Sequence, residues 1–323
     1  MSVVYRAYAP ASAANISVGF DLLGIALKPA DGSVLGDEIF IQKGEEGSGC
    51  ALTCSGRFAS VLPADPRENI VYDAYLLYKE EAQKKGFEAL DVKMELKKNL
   101  PVCSGLGSSA SSAVCAIVAL DTVNGGKFTD AELIVMMGKL EGKISGSVHY
   151  DNAAPSFFGG MQLITGENGV ISQSLPLFER WYWVSCFPGI KVSTNAARRI
   201  LPESYPRHTV IDFGRRLAAF VSACYRQDEA LAASCLKDVI AEPYRESLIP
   251  HFKEAREAGK EFGALATGIS GSGSSVFSVF TSLEGAQKMQ AWLEQNFIAN
   301  GDGFCHICKA DADGAVAARV AEN

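Results

Sequence analysis

The sequence predicts a mixed α+β fold of two domains, and three observations lead to that class. Short segments that alternate apolar and polar residues, as strands with one buried face do, recur along the chain. Longer segments with apolar residues three or four apart lie between them, which is typical of helices packed on a sheet. A chain of 323 residues, 48% hydrophobic and 21% charged, is large enough for two cores. We place the domains at 1–168 and 169–323, with the change between them in the region 165–180.

The individual elements follow from these two periods. Val92, Met94 and Leu96 alternate with polar residues, so the segment 91–97 predicts a strand. A capping box of Thr129 and Glu132 predicts the start of a helix that runs to Lys143. The other predicted strands are 3–8, 38–43, 160–165, 181–187, 265–270, 275–281 and 303–310. The other predicted helices are 68–85, 108–124, 209–226, 228–259 with interruptions at Pro243 and Pro250, and 284–296.

Charge and cysteine content exclude several classes of protein. A net charge of −7 without a run of basic residues argues against a nucleic-acid partner. The nine cysteines are odd in number and mostly in apolar company, so we expect reduced thiols. Cys305 and Cys308 form a CxxC inside a strand-like segment without a second such pair, so zinc is not predicted. With no leader or membrane-spanning run evident, we expect a cytoplasmic protein without a membrane partner.

The most informative segment is a glycine-containing loop that opens into a helix. Two glycines flank a leucine, hydroxyl residues follow, and an apolar helical segment then begins. Such a loop lets the backbone approach an anion, and the first helical turn adds free N–H groups and about half a positive charge. The loop therefore predicts a phosphate-binding site. Its residues are Pro101, Val102, Cys103, Ser104, Gly105, Leu106, Gly107, Ser108, Ser109, Ala110 and Ser111.

Other interpretations of this loop remain open at this point. The common nucleotide-binding P-loop requires a lysine after its glycines, and none follows Gly107. A dinucleotide-binding fingerprint tolerates Ala110 at its third glycine position, but no βαβ unit is evident around the loop. The simplest alternative is a serine-capped helix after a glycine turn, without any ligand.

Five segments, taken together, identify a family. They are the loop 101–111, an early Asn-Ile-Ser-Val-Gly-Phe-Asp run at 15–21, a Ser-Gly-Ser-Val-His-Tyr-Asp-Asn run at 145–152, Glu242-Pro243-Tyr244-Arg245, and a late glycine turn at 268–275. In this order the chain resembles the GHMP kinases, which phosphorylate small alcohols such as galactose, homoserine and mevalonate. Within that family, the early run, the run before Asn152, a Ser-Thr pair at 193–194 and the segment ending at Arg245 are similar to the members that act on L-homoserine. Ser17 and Ser274 depart from the common pattern, which affects local backbone geometry only.

The resemblance implies a fold and a reaction. The fold is a two-domain GHMP kinase fold, with a ribosomal protein S5 domain 2-like N-terminal domain, a ferredoxin-like C-terminal domain and the active site in the cleft between them. A left-handed βαβ crossover accompanies the loop in this family, an exception to the usual handedness. The implied reaction moves the γ-phosphoryl group of ATP, with Mg²⁺, to the side-chain hydroxyl of L-homoserine, a step in threonine biosynthesis. A homodimer is a further implication.

The resemblance also implies roles for individual residues. Loop 101–111 would hold ATP, with Asn69 near the adenine, and Ser108 and Glu141 would share the Mg²⁺. Asp151 would be either a general base or only an orienting group for the acceptor hydroxyl. The residues expected in catalysis are Asp151, Arg198 and Glu141. Those expected to bind the acceptor are Asn15, Asp21, His149, Asp151, Arg198 and Arg245, the two arginines for a carboxylate and the aspartates for an ammonium and a hydroxyl.

Three alternative functions remain compatible with the sequence. The first is a GHMP kinase for another alcohol, such as a sugar, shikimate or mevalonate. The second is a catalytically silent member that binds a ligand without transferring phosphate. A dinucleotide-dependent oxidoreductase is the third and fits the residues least well.

Overall fold

The protein is described here by a computed structural model that covers residues 3–146 and 148–320. Strands and helices alternate along these residues, as the mixed α+β class predicts. The strands are β1 (Val4–Pro10), β2 (Ser12–Ala14), β3 (Leu23–Pro29), β4 (Gly36–Lys43), β5 (Cys50–Ser55), β6 (Val92–Lys97), β7 (Met161–Glu167), β8 (Val170–Leu175), β9 (Tyr182–Phe187), β10 (Ala266–Ile269), β11 (Val276–Phe280), β12 (Phe304–Ala310) and β13 (Val316–Arg319). The α-helices are α1 (Ile70–Lys84), α2 (Ser108–Val123), α3 (Asp130–Ser145), α4 (Ala153–Phe158), α5 (Thr194–Arg199), α6 (Arg207–Arg226), α7 (Glu229–Cys235), α8 (Glu242–Arg245), α9 (Phe252–Glu261) and α10 (Leu283–Asn296).

The first sheet has the order β13-β1-β4-β6-β5, and loop 101–111 connects its strand β6 to helix α2. Its inward side chains, among them Ile39, Ile41 and Leu96, pack against α1, α2 and α3 in one core. The capping box of Thr129 and Glu132 at the start of α3 is confirmed. Burial of the apolar faces of these helices fixes where α2 begins, because α2 lies directly on β1 and β4.

A βαβ unit precedes the loop, so the expectation that none surrounds it is wrong. β5 pairs with β6 in parallel, from Cys50 opposite Val92 to Ser55 opposite Lys97, and α1 connects the two strands. The sequence did not reveal β5 because only Leu52 of its six residues is fully buried. An edge strand of this kind has little of the alternation by which strands are recognised.

The second sheet joins both halves of the chain. Its order is β10-β11-β9-β12-β3-β7-β8, and β2 pairs with β3 at its side. Strand β12 pairs with β3, with Ala310 opposite Leu27 and Cys308 opposite Pro29. β13 likewise returns to the first sheet beside β1. Two sheets therefore cross the predicted boundary at 168/169, which stays a prediction.

The region 228–259 is not one interrupted helix but three short ones, α7, α8 and α9. Pro243 lies at the start of α8 instead of interrupting a helix, since the missing N–H of a proline costs nothing in a first turn. His251, with φ +60°, precedes α9. Strands β2, β3, β5, β8 and β13 and helices α4 and α5 had no counterpart in the sequence prediction.

Cysteines and apolar segments complete the description. All nine cysteines are free thiols. Cys305 faces Cys186 across β12 and β9 inside the sheet. Within residues 3–146 and 148–320, no helix combines the length and the apolarity needed to cross a membrane.

Candidate active site

The phosphate loop ends in a helix start that lacks a side-chain cap. Gly107 is the N-cap residue of α2, has a left-handed backbone conformation and offers no side chain to the N–H groups of the first turn. Ser108 and Ser109 form that first turn and line the same cleft as the loop. Uncapped N–H groups at the positive end of a 16-residue helix are a suitable anion site.

The loop interlocks with the late glycine turn. Ser270 donates its hydroxyl to the carbonyl oxygen of Gly105 at 2.6 Å, and the N–H of Ser275 donates to the carbonyl oxygen of Ser104 at 2.9 Å. A Cβ atom on Gly105 would lie 2.3 Å from the carbonyl oxygen of Ser270, so only glycine permits this approach. The N–H of Gly271 donates to Ala14, which brings the early run into the same contact. Three distant parts of the sequence thus meet at the loop.

A buried ion pair lies beneath the first turn of α2. The ammonium of Lys98 pairs with Asp37 and donates to the carbonyl oxygen of Ser108 and to the hydroxyl of Ser112, both at 2.9 Å. Asp37 also accepts the N–H groups of Asn99 and Leu100. Because these groups are almost fully buried, their hydrogen bonds fix the start of α2 against β4 and the residues that follow β6. Sequence analysis missed Lys98 and Asp37.

Glu141 projects from α3 into the cleft. The hydroxyl of Ser109 donates to its carboxylate at 3.1 Å, whereas Ser108 donates to the carbonyl oxygen of Leu100. Burial, with the nearby charge of Asp151 as a smaller contribution, raises the pKa of Glu141 to about 7. Of the two serines in the first turn of α2, Ser109 is the one seen to contact Glu141, although both line the cleft.

Asp151 lies at the start of α4, opposite the phosphate loop. Burial, and next the charge of Asp21, raise the pKa of Asp151 to about 7. Its neighbour Asn152 accepts a hydrogen bond from the hydroxyl of Ser12 at 2.9 Å and also lines the cleft. Burial lowers the pKa of His149, which is close to Arg198. Residue 147 of this run lies outside the described residues.

Asp21 and Arg198 form a two-pronged ion pair across the cleft. The guanidinium Nη1 and Nη2 atoms of Arg198 lie 3.0 and 3.1 Å from the two carboxylate oxygens of Asp21. Asn15 holds the backbone of Asp21 through its side-chain oxygen and donates its amide to the carbonyl oxygen of Gly271. Both Asn15 and Asp21 have positive φ angles, of 69° and 58°. The early run is thus a compact turn that presents a carboxylate.

Arg245 is buried at the back of the same pocket. Its Nε donates to the carbonyl oxygen of Ala197 at 3.0 Å, and Nη1 donates to that of Gly271 at 2.9 Å. The guanidinium lies 5.2 Å from the ring centre of Phe20. Burial lowers the pKa of Arg245, and the nearby carboxylates act in the opposite direction. A cation in this position, 4% exposed, is a strong attractor for an anionic ligand.

Loop 101–111, the early run, Glu141, Asp151, Arg198 and Arg245 all contribute side chains or backbone to one cleft of about 330 Å³. Most of the predicted residues meet there, namely Asn15, Asp21, Asn69, Val102, Cys103, Ser104, Gly105, Gly107, Ser108, Ser109, Glu141, His149, Asp151, Arg198 and Arg245. Four predicted loop residues do not line it: Pro101, Leu106, Ala110 and Ser111 are buried, and Ser111 bonds to Ala9 and Asp37. Lining residues that the sequence analysis missed include Lys98, Ser112, Asn152, Thr194 and Ser272. Asn69 also caps α1, because its side-chain oxygen accepts the N–H of Val71.

Comparison with known proteins identifies the class to which this fold and cleft belong. Residues 69–160 match the GHMP kinase N-terminal domain, and residues 220–299 match the GHMP kinase C-terminal domain. Homoserine kinase from Cytophaga hutchinsonii is 30% identical, with a TM-score of 0.87 and coverage of 98% of this chain and 97% of that one. The chain belongs to the GHMP kinase family and has its two-domain α+β fold.

More distant structures share the fold. A structure assigned as homoserine kinase from Listeria monocytogenes is 21% identical, with a TM-score of 0.70 over 98% of this chain and 100% of that chain. L. major mevalonate kinase in complex with R-mevalonate is 14% identical, with a TM-score of 0.67 over 93% and 94% of the two chains. GHMP kinases are phosphotransferases that use ATP, which is a substrate of the chemistry that loop 101–111 is predicted to bind.

The cleft offers oxygen ligands suited to Mg²⁺. Glu141 supplies a carboxylate whose pKa is raised chiefly by burial, and the hydroxyls of Ser108 and Ser109 line the cleft with it. In the described part of the chain, no group of three or more His, Cys, Asp or Glu side chains is arranged to hold a metal. Mg²⁺ bound with ATP commonly has one or two protein carboxylates and completes its coordination with phosphates and water, so this donor set fits.

Gly24 offers a test of how closely the cleft depends on backbone packing. A Cβ atom there would lie 1.8 Å from the carbonyl oxygen of Asp151, and β3 cannot retreat because Gly24 pairs with both Ala14 and Gln162. We expect Gly24→Ala to displace the Asp151 segment and lower kcat/KM by about 100-fold, since misplacement by about 1 Å can have that effect. Steady-state kinetics with MgATP would measure the loss.

The matched control for this variant is Gly214→Ala. Gly214 lies in α6 with open space around its Cα, so alanine should slightly stabilise the helix and leave activity unchanged. A wild-type kcat/KM for Gly24→Ala would show that activity does not depend on the close packing of Gly24 against Asp151.

Proposed function

We propose that the protein is a homoserine kinase that phosphorylates the side-chain hydroxyl of L-homoserine at the expense of ATP, giving O-phospho-L-homoserine for threonine biosynthesis. The name of the Cytophaga hutchinsonii relative supports this substrate. The observation that carries the proposal is the ion pair of Asp21 and Arg198 beside Asp151. It lies in the same cleft as the phosphate loop.

The charges of the pocket favour a zwitterion. An amino acid presents a carboxylate to Arg198 and Arg245 and an ammonium to Asp21, so each charged group of the pocket gains an opposite charge. Arg198 also has a buried Nε atom without a hydrogen-bond partner in the described part of the structure, and a ligand carboxylate would accept from it. A neutral sugar has no charged group to compete for Asp21 or Arg198, so their ion pair would stay intact. Mevalonate or shikimate would bring only a negative charge and leave Asp21 uncompensated.

Transfer requires the acceptor hydroxyl to face the γ-phosphorus of ATP. The loop amides and the start of α2 would hold the phosphates, and the Lys98 cluster would keep that helix start in place. Bound Mg²⁺, held by Glu141 and Ser108, would neutralise charge on the phosphates. The hydroxyl oxygen forms the new bond to phosphorus, the bond from phosphorus to the β-phosphate oxygen breaks, and ADP leaves. Asp151 would accept or orient the hydroxyl proton; orientation is the preferred role, because a loose transition state needs little base assistance.

The proposal is tested by ADP release with MgATP and a panel of acceptors. We expect rapid release with L-homoserine and only background release with galactose, mevalonate and shikimate. Detection of O-phospho-L-homoserine by mass spectrometry would identify the product, and D-homoserine is a control with the same charges in the wrong arrangement.

Two outcomes would contradict this proposal in different ways. Activity on another alcohol alone would retain the GHMP kinase class and overturn the zwitterion pocket. Binding of ATP without turnover of L-homoserine or any other acceptor would favour a catalytically silent member of the family.

A further inference from the structure

The direction of the Arg245 guanidinium depends on more than the hydrogen bonds of Arg245 itself. Among the described residues, its guanidinium donates to two backbone carbonyl oxygens, those of Ala197 and Gly271. The helix that carries it, α8, has only four residues and is too short to be stable by itself. The direction of its guanidinium therefore depends on what ties α8 to the rest of the domain.

Glu242, the first residue of α8, makes that connection. Its carboxylate accepts from the Nη2 atom of Arg256 in α9 at 2.7 Å. The backbone N–H of Ile269, at the end of β10, is close enough to this carboxylate to lower its pKa. Ile269 is two residues before Gly271, whose carbonyl oxygen receives Arg245. Glu242 thus ties the helix that bears Arg245 to α9, and its carboxylate lies beside the end of the strand that leads to Gly271.

A carboxylate in this position is costly to keep. The side chain of Glu242 is 12% exposed, and its Oε2 atom is buried without a hydrogen-bond partner among the described residues. Burial raises the pKa of Glu242 to about 7, against the favourable charge of Arg256. Buried charged groups of this kind contribute little to stability compared with an apolar side chain, so a positional role explains Glu242 better than a stabilising one.

We propose that Glu242 is a positioning residue for the acceptor site, which holds α8 against β10 so that Arg245 points into the pocket. The inference rests on the proposed function, because Arg245 is assigned there to the acceptor carboxylate. Glu242 itself does not line the cleft. Its effect should therefore reach the acceptor only through Arg245 and leave the nucleotide unaffected.

The test compares KM values for the two substrates in Glu242→Ala and Glu242→Gln. We expect Glu242→Ala to raise the KM for L-homoserine about tenfold, with kcat and the KM for ATP within about twofold of wild type. Glu242→Gln keeps a side-chain oxygen that can accept from Arg256 but loses the charge, so the KM for L-homoserine should rise by about two- to threefold. Arg245→Leu serves as the reference for complete loss of the guanidinium, with a larger rise in the same KM.

The matched control is Glu246→Gln. Glu246 also approaches Arg256, at 3.6 Å, but it follows α8 and does not line the cleft. It should leave both KM values unchanged. An unchanged homoserine KM in folded Glu242→Ala, or an equal rise in both KM values, would overturn the inference.

Two further results separate this inference from the proposed function. If Glu242→Ala does not fold, as circular dichroism would show, Glu242→Gln decides: wild-type stability and a homoserine KM raised at least twofold support the role, and an unchanged KM contradicts it. If the wild-type protein does not phosphorylate L-homoserine, the proposed function fails and the inference fails with it. If the wild-type protein phosphorylates L-homoserine and the Glu242 variants have the wild-type KM for it, the inference fails and the proposed function stands.

Discussion

Replacing Glu141 by alanine is expected to lower kcat by about 10²- to 10³-fold, the usual effect of removing a group that helps to stabilise transition-state charge. Its buried carboxylate contacts Ser109 at the start of α2, in the cleft where the phosphates of ATP would bind. Steady-state kinetics with saturating MgATP and L-homoserine would measure the loss. A well-folded variant with wild-type kcat would contradict the role of Glu141.

Removal of the Glu141 carboxylate should raise the stability of the protein, although it lowers kcat. The pKa of Glu141 in the folded protein, about 7, exceeds its ordinary value of 4.5, so the folded state binds the proton more tightly than the unfolded state. The free energy of unfolding therefore decreases as pH rises from about 4.5 to 7, by about 1.4 kcal/mol per pKa unit, and stays low above that range. Glu141→Gln removes this dependence and should have a higher melting temperature than wild type at pH 8.

Glu132→Gln is the matched control on the same helix. Glu132 belongs to the capping box of α3, and its hydrogen bonds with Lys85 and Thr129 hold its pKa at about 2. Its loss should lower the melting temperature and leave kcat unchanged. Loss of the Glu141 carboxylate should thus lower activity and raise stability, whereas loss of the Glu132 carboxylate should lower stability and leave activity unchanged.

Asp151→Asn is expected to lower kcat/KM for L-homoserine by about 10²- to 10⁴-fold, the range found for groups that transfer or orient a proton. Because the pKa of Asp151 is about 7 in the ligand-free protein, wild-type kcat/KM should fall as pH decreases below 7 and the carboxylate becomes protonated. The variant should lose this contribution to the pH profile and keep that of Glu141. Initial rates between pH 5.5 and 9 would measure both profiles.

The size and nature of the loss distinguish the two roles of Asp151. A general base predicts a loss mainly in kcat, whereas an orienting group predicts a rise in the acceptor KM with a smaller change in kcat. Asp121→Asn is the control for a buried aspartate elsewhere, since Asp121 bonds to Tyr78 and to the N–H of Lys127, far along α2 from its start. It should reduce stability without changing kcat/KM. A wild-type pH profile of kcat/KM for Asp151→Asn would show that Asp151 takes no part in the reaction.

The ion pair of Lys98 and Asp37 beneath α2 has a signature in the sequence. Val92, Met94 and Leu96 form the buried face of β6, and the same period of two places Lys98 on that face. Asp37 shares a face with the buried Ile39 and Ile41 in β4 in the same way. A charged residue at an inward position of a strand predicts a buried partner. That pattern would have found the ion pair beneath α2.

Other parts of the site could not be predicted from local patterns. The contact of Asn15 with Gly271 joins residues 256 positions apart, and no periodicity records such a pairing. Helices α5 and α8, which carry Arg198 and Arg245, have six and four residues, too few for a helical period to be visible. Their residues were found through the family resemblance, because side-chain chemistry at fixed spacing survives where local propensity is weak.

The interlocked glycine turns have a consequence for how the protein acquires activity during its synthesis. Residues 101–111 leave the ribosome long before Ser270 and Ser275, which hold that loop from the other side. Strand β13, at 316–319, completes the first sheet later still. The cleft is therefore not complete until residues 268–275 have been translated, and its ordering is a long-range event. A ribosome stalled before residue 270 would carry loop 101–111 without the turn that holds it from the other side.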